Sequence, residues 1–185
     1  MTSHIDLGVR HLLPVYPFLY IAIGAGLFRI LPTSSRTGAV AMISCLLIVE
    51  SCVTFPNYLS FFNVLCGGVK SGPKYLLESN IDWGQDLKKL RAFLKPYGNA
   101  PVCLEYFGNA DLEYYGFSSV GGIPWTNDAS GRERINCIAA ISVNLLYGLY
   151  VDGDVFSWLR DRKPLARVGG SIYVYDLRKE PRRVP

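Results

Sequence analysis

Residues 12–31 read LLPVYPFLYIAIGAGLFRIL and residues 38–55 read GAVAMISCLLIVESCVTF, and these two runs decide the architecture. Each is close to the about 20 apolar residues that a bilayer core requires. Arg29 lies near the end of the first run, where a long stem can carry its charge to the interface. Glu50 lies inside the second run, about a turn and a half from its end. PTSSRTG (32–38) separates the runs as a short polar turn, so the pattern predicts a membrane-spanning helical hairpin. A cleaved signal peptide fits poorly, because no basic cluster opens the chain and a second apolar run follows. A buried helical hairpin of a soluble protein is the competing reading.

Composition divides at the same place. Half of the 185 residues are hydrophobic and only 18% are charged. The charges before Pro56 are Asp6, Arg10, Arg29, Arg36 and Glu50, whereas later residues carry charge at the density of an ordinary soluble surface. Short-loop charge predicts orientation: Arg29 and Arg36 flank the turn and place it in the cytoplasm. The N-terminal segment and everything after Phe55 then lie on the outer face. The expected division is a membrane hairpin over 1–55, an interfacial connector over 56–80 and an outer-face α/β domain over 81–185.

Within the outer domain, Asp82 and Gln85 have the spacing of a capping box. They open an expected helix running to about Tyr97, with Leu87, Leu90 and Leu94 on its apolar face and Gly98 at its end. PVCLEYF (101–107), INCIAAIS (135–142) and GGSIYVYDL (169–177) read as strands, the second covered on both faces. Asn109 caps a brief helix, and Ser118 to Arg134 reads as a long loop. Strands alternating with helices predict a small α/β layer with a mostly parallel sheet.

Several chemistries lack their signatures. There is no dinucleotide or P-loop glycine motif, no GxSxG and no HExxH. The two histidines, His4 and His11, both precede the first span, so the outer domain cannot assemble a Ser-His-Asp triad. Cys45, Cys52, Cys66, Cys103 and Cys137 show no CxxC or Cys/His ligand spacing, so a zinc site is not expected, and no metal ligand or cofactor motif is identified in this chain. Cys103 and Cys137 read as small hydrophobes in strands; a disulfide is possible but not signalled. The net charge of +4 is scattered. The closing RKEPRRVP reads as a terminus, not a nucleic-acid arm, so no nucleic-acid partner is expected.

Three polar clusters remain near the membrane. Arg10 and His11 stand just before the first span, where a guanidinium suits either a phosphate or an interfacial anchoring role. FPNYLSFFNVLCGG (55–68) carries Phe55, Tyr58, Phe61 and Phe62, as suits a segment lying in the interface. In ESNIDWGQD (78–86) the capping box accounts for Asp82 and Gln85 but leaves Asn80, Trp83 and Gly84 unexplained. Glu50, a charge within a span, is either a functional residue or an interfacial one.

GVRHLLPVYPF (8–18), FPNYLSFFNVLCGG (55–68), YLLESNIDWGQDLKKLRAFL (75–94) and LEYFGNADLEYYG (104–116) together resemble the C-terminal part of a bacterial GT-C type membrane glycosyltransferase, family 39-like and related to the protein O-mannosyltransferases. The resemblance runs from about Leu7 to Gly116 and fades after Ser118. It implies a multi-pass protein of the bacterial inner membrane, with its C-terminal domain on the periplasmic face and a polyprenyl-phosphate-linked sugar as donor. It implies that Arg10 and His11 face the active-site cavity, that Arg10 holds the donor phosphate and that Glu50 lies nearby. Asn80, Asp82, Trp83 and Gln85 would then form the junction of the outer domain. Such enzymes carry their catalytic acid in a first outer loop far upstream of the part seen here. The catalytic residue is therefore unknown, and the chain reads as a fragment inactive alone, partnered by lipid and a missing N-terminal membrane part. A free-standing two-span protein whose outer domain binds a partner or a cell-wall glycan is the alternative.

Overall fold

A computed structural model describes residues 9–126, 128, 131–132 and 135–178, with the side chains of residues 9–11 outside that description. The expectation for the closing basic segment thus falls almost wholly outside the described residues. A 3-10 segment, Val9–Val15, leads into α1 (Tyr16–Ile30), and α2 follows over Thr33–Thr54. Among the described residues, Leu12–Ile30 and Thr33–Thr54 are the two helical stretches long and apolar enough to cross a membrane. Nearly all of their side chains are exposed.

The turn between them is tighter than PTSSRTG suggests, because Thr33 to Gly38 already belong to α2. Only Leu31 and Pro32 connect the helices. Pro32 is extended and fits the position before a helix. Arg36 donates from Nη2 to the Phe28 carbonyl at 2.6 Å and from Nε to Leu31 at 3.1 Å. One guanidinium thereby caps carbonyls that the end of α1 leaves without helical partners.

The connector is a run of short turns: 3-10 pieces at Tyr58–Ser60 and Val64–Cys66, one helical turn α3 (Gly68–Ser71), and further 3-10 turns to Asn80. The domain proper holds α4 (Leu87–Leu94), β1 (Val102–Glu105), β2 (Ile138–Ser142), α5 (Val143–Leu146), α6 (Ser157–Arg160), β3 (Ala166–Val168) and β4 (Ile172–Asp176).

The four strands lie in the order β1-β2-β4-β3, and the sheet is mixed, not mostly parallel. β1 and β2 are parallel, but β4 pairs antiparallel with both β2 and β3. The cause is a hairpin that reading GGSIYVYDL as one strand conceals. Gly169 and Gly170 both take positive φ (63° and 96°), conformations that side chains resist. They turn the chain between Val168 and Ile172, so β4 folds back into the gap between β2 and β3.

β2 is buried along its whole length, as its continuous apolar run predicts. Ile138 and Ala140 face Leu87, Leu90 and Leu94 of α4, while Ala139 and Ile141 face Leu145, Phe156 and Leu159. Each fully buried Leu or Ile stabilises the domain by roughly 1.5–3 kcal/mol relative to exposure. Cys103 and Cys137 form a disulfide with a Cα–Cα separation of 5.9 Å, fastening β1 to the residue before β2.

Two helical expectations shift. α4 begins four positions later than a capping box at Asp82 would place it. The stretch after Asn109 is a turn, closed by Asp111 accepting from the Glu113 N–H at 2.9 Å.

Candidate functional site at the connector–domain seam

ESNIDWGQD folds as a chain of turns, not a helix start. Asp82 Oδ1 accepts from the Gly84 N–H at 2.8 Å, and Gln85 Oε1 accepts from the Trp83 N–H at 2.7 Å. These local bonds compete with a helix, which is why Asp and Asn favour turns. Gly84 has φ 74°, and a Cβ there would run into the Tyr106 ring and lie 2.9 Å from the Phe107 carbonyl. Tyr106 donates its hydroxyl to the Gly84 carbonyl at 3.0 Å. The glycine is required by both conformation and close approach.

Two carboxylates go inward from this turn. Asp82 is 1% exposed and Asp86 is fully buried. Ser142, the last residue of β2, donates its hydroxyl to Asp82 Oδ2 in a short bond. Ser171, which precedes β4, donates to Asp86 Oδ2 at 2.8 Å. Lys89 Nζ completes the set, donating to Asp86 Oδ1 at 2.8 Å and to Asn57 Oδ1 of the connector at 2.5 Å. Burial pushes the Asp82 carboxyl up to about 6, against the opposing pull of the Ser142 and Gly84 bonds; the Asp86 charge adds to the rise.

The connector grips the same end of the sheet. Ser60 Oγ donates to the Gly169 carbonyl at 3.1 Å. Arg167 donates to Gly170 and to Val69 of the connector, both at 2.8 Å. The Glu78 N–H donates to Asn144 Oδ1 at 2.8 Å, while Asn144 Nδ2 is buried without a hydrogen-bond partner. A cleft of about 220 Å³ remains between Pro56–Ser60 and Gln85–Lys89.

The residues singled out from sequence therefore separate. Asp82 enters the buried seam and Gln85 lines its cleft. Asn80 donates to the Leu77 carbonyl in a local turn. Trp83 is 59% exposed, its indole N–H donating to the Ser79 carbonyl at 2.7 Å, so it does not pack beneath the domain. Glu50 accepts from the Val64 N–H at 2.9 Å and so holds the connector. The side chains of Arg10 and His11 lie outside the described residues. Ser142, Ser171, Asp86, Lys89 and Asn57 were not singled out as site residues. Their one sequence signal is a serine at the buried end of each of two apolar strands.

Among the described residues, no group of three or more His, Cys, Asp or Glu is placed to hold a metal ion. The fold and site define a class: an apolar two-helix hairpin joined through a buried polar seam to a small mixed α/β domain. No protein family, curated protein or solved structure gives a match to this chain.

Proposed function

We propose that this chain is the C-terminal portion of a GT-C type glycosyltransferase that uses a polyprenyl-phosphate-linked sugar on the outer face of a bacterial inner membrane. The observation that carries the proposal is the seam. The ESNIDWGQD stretch, one of the four that carry the family resemblance, folds as the joint between a membrane-type hairpin and a polar domain, with Asp82 and Asp86 at its centre. In this reading the seam docks and does not catalyse: each buried carboxylate is engaged by serine, backbone or lysine donors. Arg10 holds the donor phosphate, Glu50 braces the connector, and the carboxylate base that activates the acceptor hydroxyl for inversion at the sugar C1 lies in a separate membrane part.

The outer-face assignment draws on two independent features. Arg29 and Arg36 flank the hairpin turn, and cytoplasmic turns collect such charges. The Cys103–Cys137 disulfide suits an oxidising compartment on the opposite side.

The alternative, a free-standing protein whose outer domain binds a partner or glycan, draws on one surface feature. Trp83 and Tyr150 are exposed aromatics bonded to adjacent residues, the Trp83 indole to the Ser79 carbonyl and the Tyr150 hydroxyl to the Glu78 carboxylate. One experiment separates the readings. The DNA upstream of the Met1 codon is read, and any multi-span coding region with an early outer-loop Asp or Glu is joined in frame and expressed. Transfer of a labelled sugar from polyprenyl phosphate by the joined protein, and none by this chain alone, is the expected result. No such region, together with saturable binding of cell-wall glycan by the chain itself, would replace the proposal with the alternative.

A further inference from the structure

After Thr54 the chain leaves α2 and then comes back to it. The returning segment is pinned by Glu50, whose Oε1 accepts from the Val64 N–H at 2.9 Å. Glu50 lies four residues before Thr54, whose hydroxyl donates to the Glu50 carbonyl at 2.7 Å. At 1.5 Å per residue the Glu50 backbone lies about 6 Å short of the end of α2, and its carboxylate tethers Val64 to that part of the helix. At the tip of this return, Val64 is 72% exposed and Leu65 is 97% exposed.

We infer that Val64 and Leu65 form a shallow re-entrant tip that enters the lipid bilayer on the side where α2 ends, among the upper acyl chains, with Lys70 and Lys74 meeting anionic phospholipid headgroups above it. The inference rests on α1 and α2 being membrane spans and deepens that reading. Three observations select lipid as the occupant. The exposed apolar tip is tied to a residue inside α2, whose own apolar side chains are largely exposed. Most of its backbone donors are already engaged: the N–H groups of Val64, Cys66, Gly67 and Gly68 have acceptors in Glu50, Asn63 and Val64, which lowers the cost of leaving water at a shallow depth. Between Ser51 and Leu77 there is no acidic residue, and the two charges present, Lys70 and Lys74, are both exposed and basic. The same geometry gives the Glu50 carboxylate a donor at membrane depth, where a charged group without one is costly.

The test uses the full chain in nanodiscs of mixed phosphatidylcholine and phosphatidylglycerol. Cys45, Cys52 and Cys66 are replaced by Ser, and a nitroxide is placed in turn at Leu65→Cys, Leu46→Cys in mid-α2 and Lys88→Cys on the exposed face of α4. Collision with oxygen and with a water-soluble nickel chelate reports depth. Leu65 is expected to be severalfold less accessible to nickel than Lys88 and closer to Leu46. Adding Glu50→Ala should raise nickel access at Leu65 severalfold, whereas Glu50→Gln, which keeps the acceptor oxygen, should not. Leu65 as open to nickel as Lys88 while Leu46 stays protected overturns the inference alone. Nickel access at Leu46 overturns the spans and the inference together. No response at Leu65 to Glu50→Ala overturns the pinning role of Glu50.

Discussion

Glu78 and Tyr150, 72 positions apart in sequence, are joined by a 2.7 Å hydrogen bond from the Tyr150 hydroxyl to Glu78 Oε1, and both hold positive φ, 59° and 62°. They are the two non-glycine residues with positive φ among the described residues. Such a conformation costs roughly 1 kcal/mol or more for a residue with a Cβ. The bond, the stacking of Tyr150 on Phe107 at 5.5 Å and the Glu78 N–H bond to Asn144 offset it. Glu78→Ala keeps the backbone strain and loses the carboxylate, so it should destabilise the protein by about 1–2 kcal/mol. Glu78→Gly loses the same bond but relaxes the backbone, and should recover about 1 kcal/mol of that loss. Denaturant unfolding of both variants decides the matter, and equal losses would mean that the strain is not stored at Glu78.

Gly169 joins the hairpin turn to the seam. It has φ 63°, and a Cβ there would be driven into the Asp86 carboxylate, which Ser171 and Lys89 hold in place. Gly153 has φ 77° and open space around its Cβ position. Gly153→Ala should therefore cost only the conformational term, about 1 kcal/mol, while Gly169→Ala should cost about 2 kcal/mol more from overpacking. Thermal unfolding of the two variants side by side measures the difference. Equal shifts in Tm would show that Asp86 yields easily and that the seam is loosely packed.

The same turn shows how far local pattern reaches. Leu87, Leu90 and Leu94 fall on one helical face, and INCIAAIS is apolar throughout, so α4 and the doubly covered β2 were legible from periodicity. Both long apolar helices were legible from the length of their apolar runs, whereas α4 stops at Leu94 and a 3-10 turn over Lys95–Tyr97 carries the chain to Gly98. Pairing direction was not legible, because the period of a strand is the same in parallel and antiparallel sheets. Ala166–Val168 is too short to stand out, and only the Gly169-Gly170 pair marks it as half of a hairpin. The seam was less legible still. Asp82 and Gln85 at capping-box spacing satisfied a local rule, and what overrides it is remote: Ser142 and Ser171 draw the carboxylates inward from 60 and 85 positions away. The Cys103–Cys137 pair likewise depends on which strands become neighbours.

That disulfide closes a loop of 34 positions across the two parallel strands. Cross-linking a loop of that size stabilises a fold by about 2–4 kcal/mol, chiefly by restricting the unfolded chain. Reduction, or Cys103→Ser with Cys137→Ser, should lower Tm by several degrees and leave the far-ultraviolet spectrum of the folded state unchanged. Alkylation of protein taken directly from cells gives a second readout. Cys45, Cys52 and Cys66 are free thiols and should react under denaturing conditions, whereas Cys103 and Cys137 should react only after reduction. Reaction of all five without reductant would remove both the bond and its support for an outer-face domain.

Asp82 should make stability depend on pH in a direction opposite to most carboxylates. Its folded carboxyl is pushed up to about 6 by burial, from an ordinary value near 3.8. Between about pH 4 and 6 the folded state therefore holds a proton that the unfolded state has released, and stability falls as pH rises through this window. Above about 6 the buried charge is a constant cost, with an upper limit of about 3 kcal/mol. Asp154 and Asp176, held below the usual range by Arg160 and Arg178, contribute the opposite slope at lower pH, so the comparison must be between the native chain and a variant. Asp82→Asn keeps an acceptor for the Ser142 hydroxyl and cannot ionise. Its stability relative to the native chain should grow from pH 4 to about 6 and then level off. Ser142→Ala removes a donor that favours the charged form, so the native-minus-Asn difference in that background should level off at higher pH. A difference independent of pH in both backgrounds would mean that Asp82 is ionised throughout and that the seam accommodates its charge without cost.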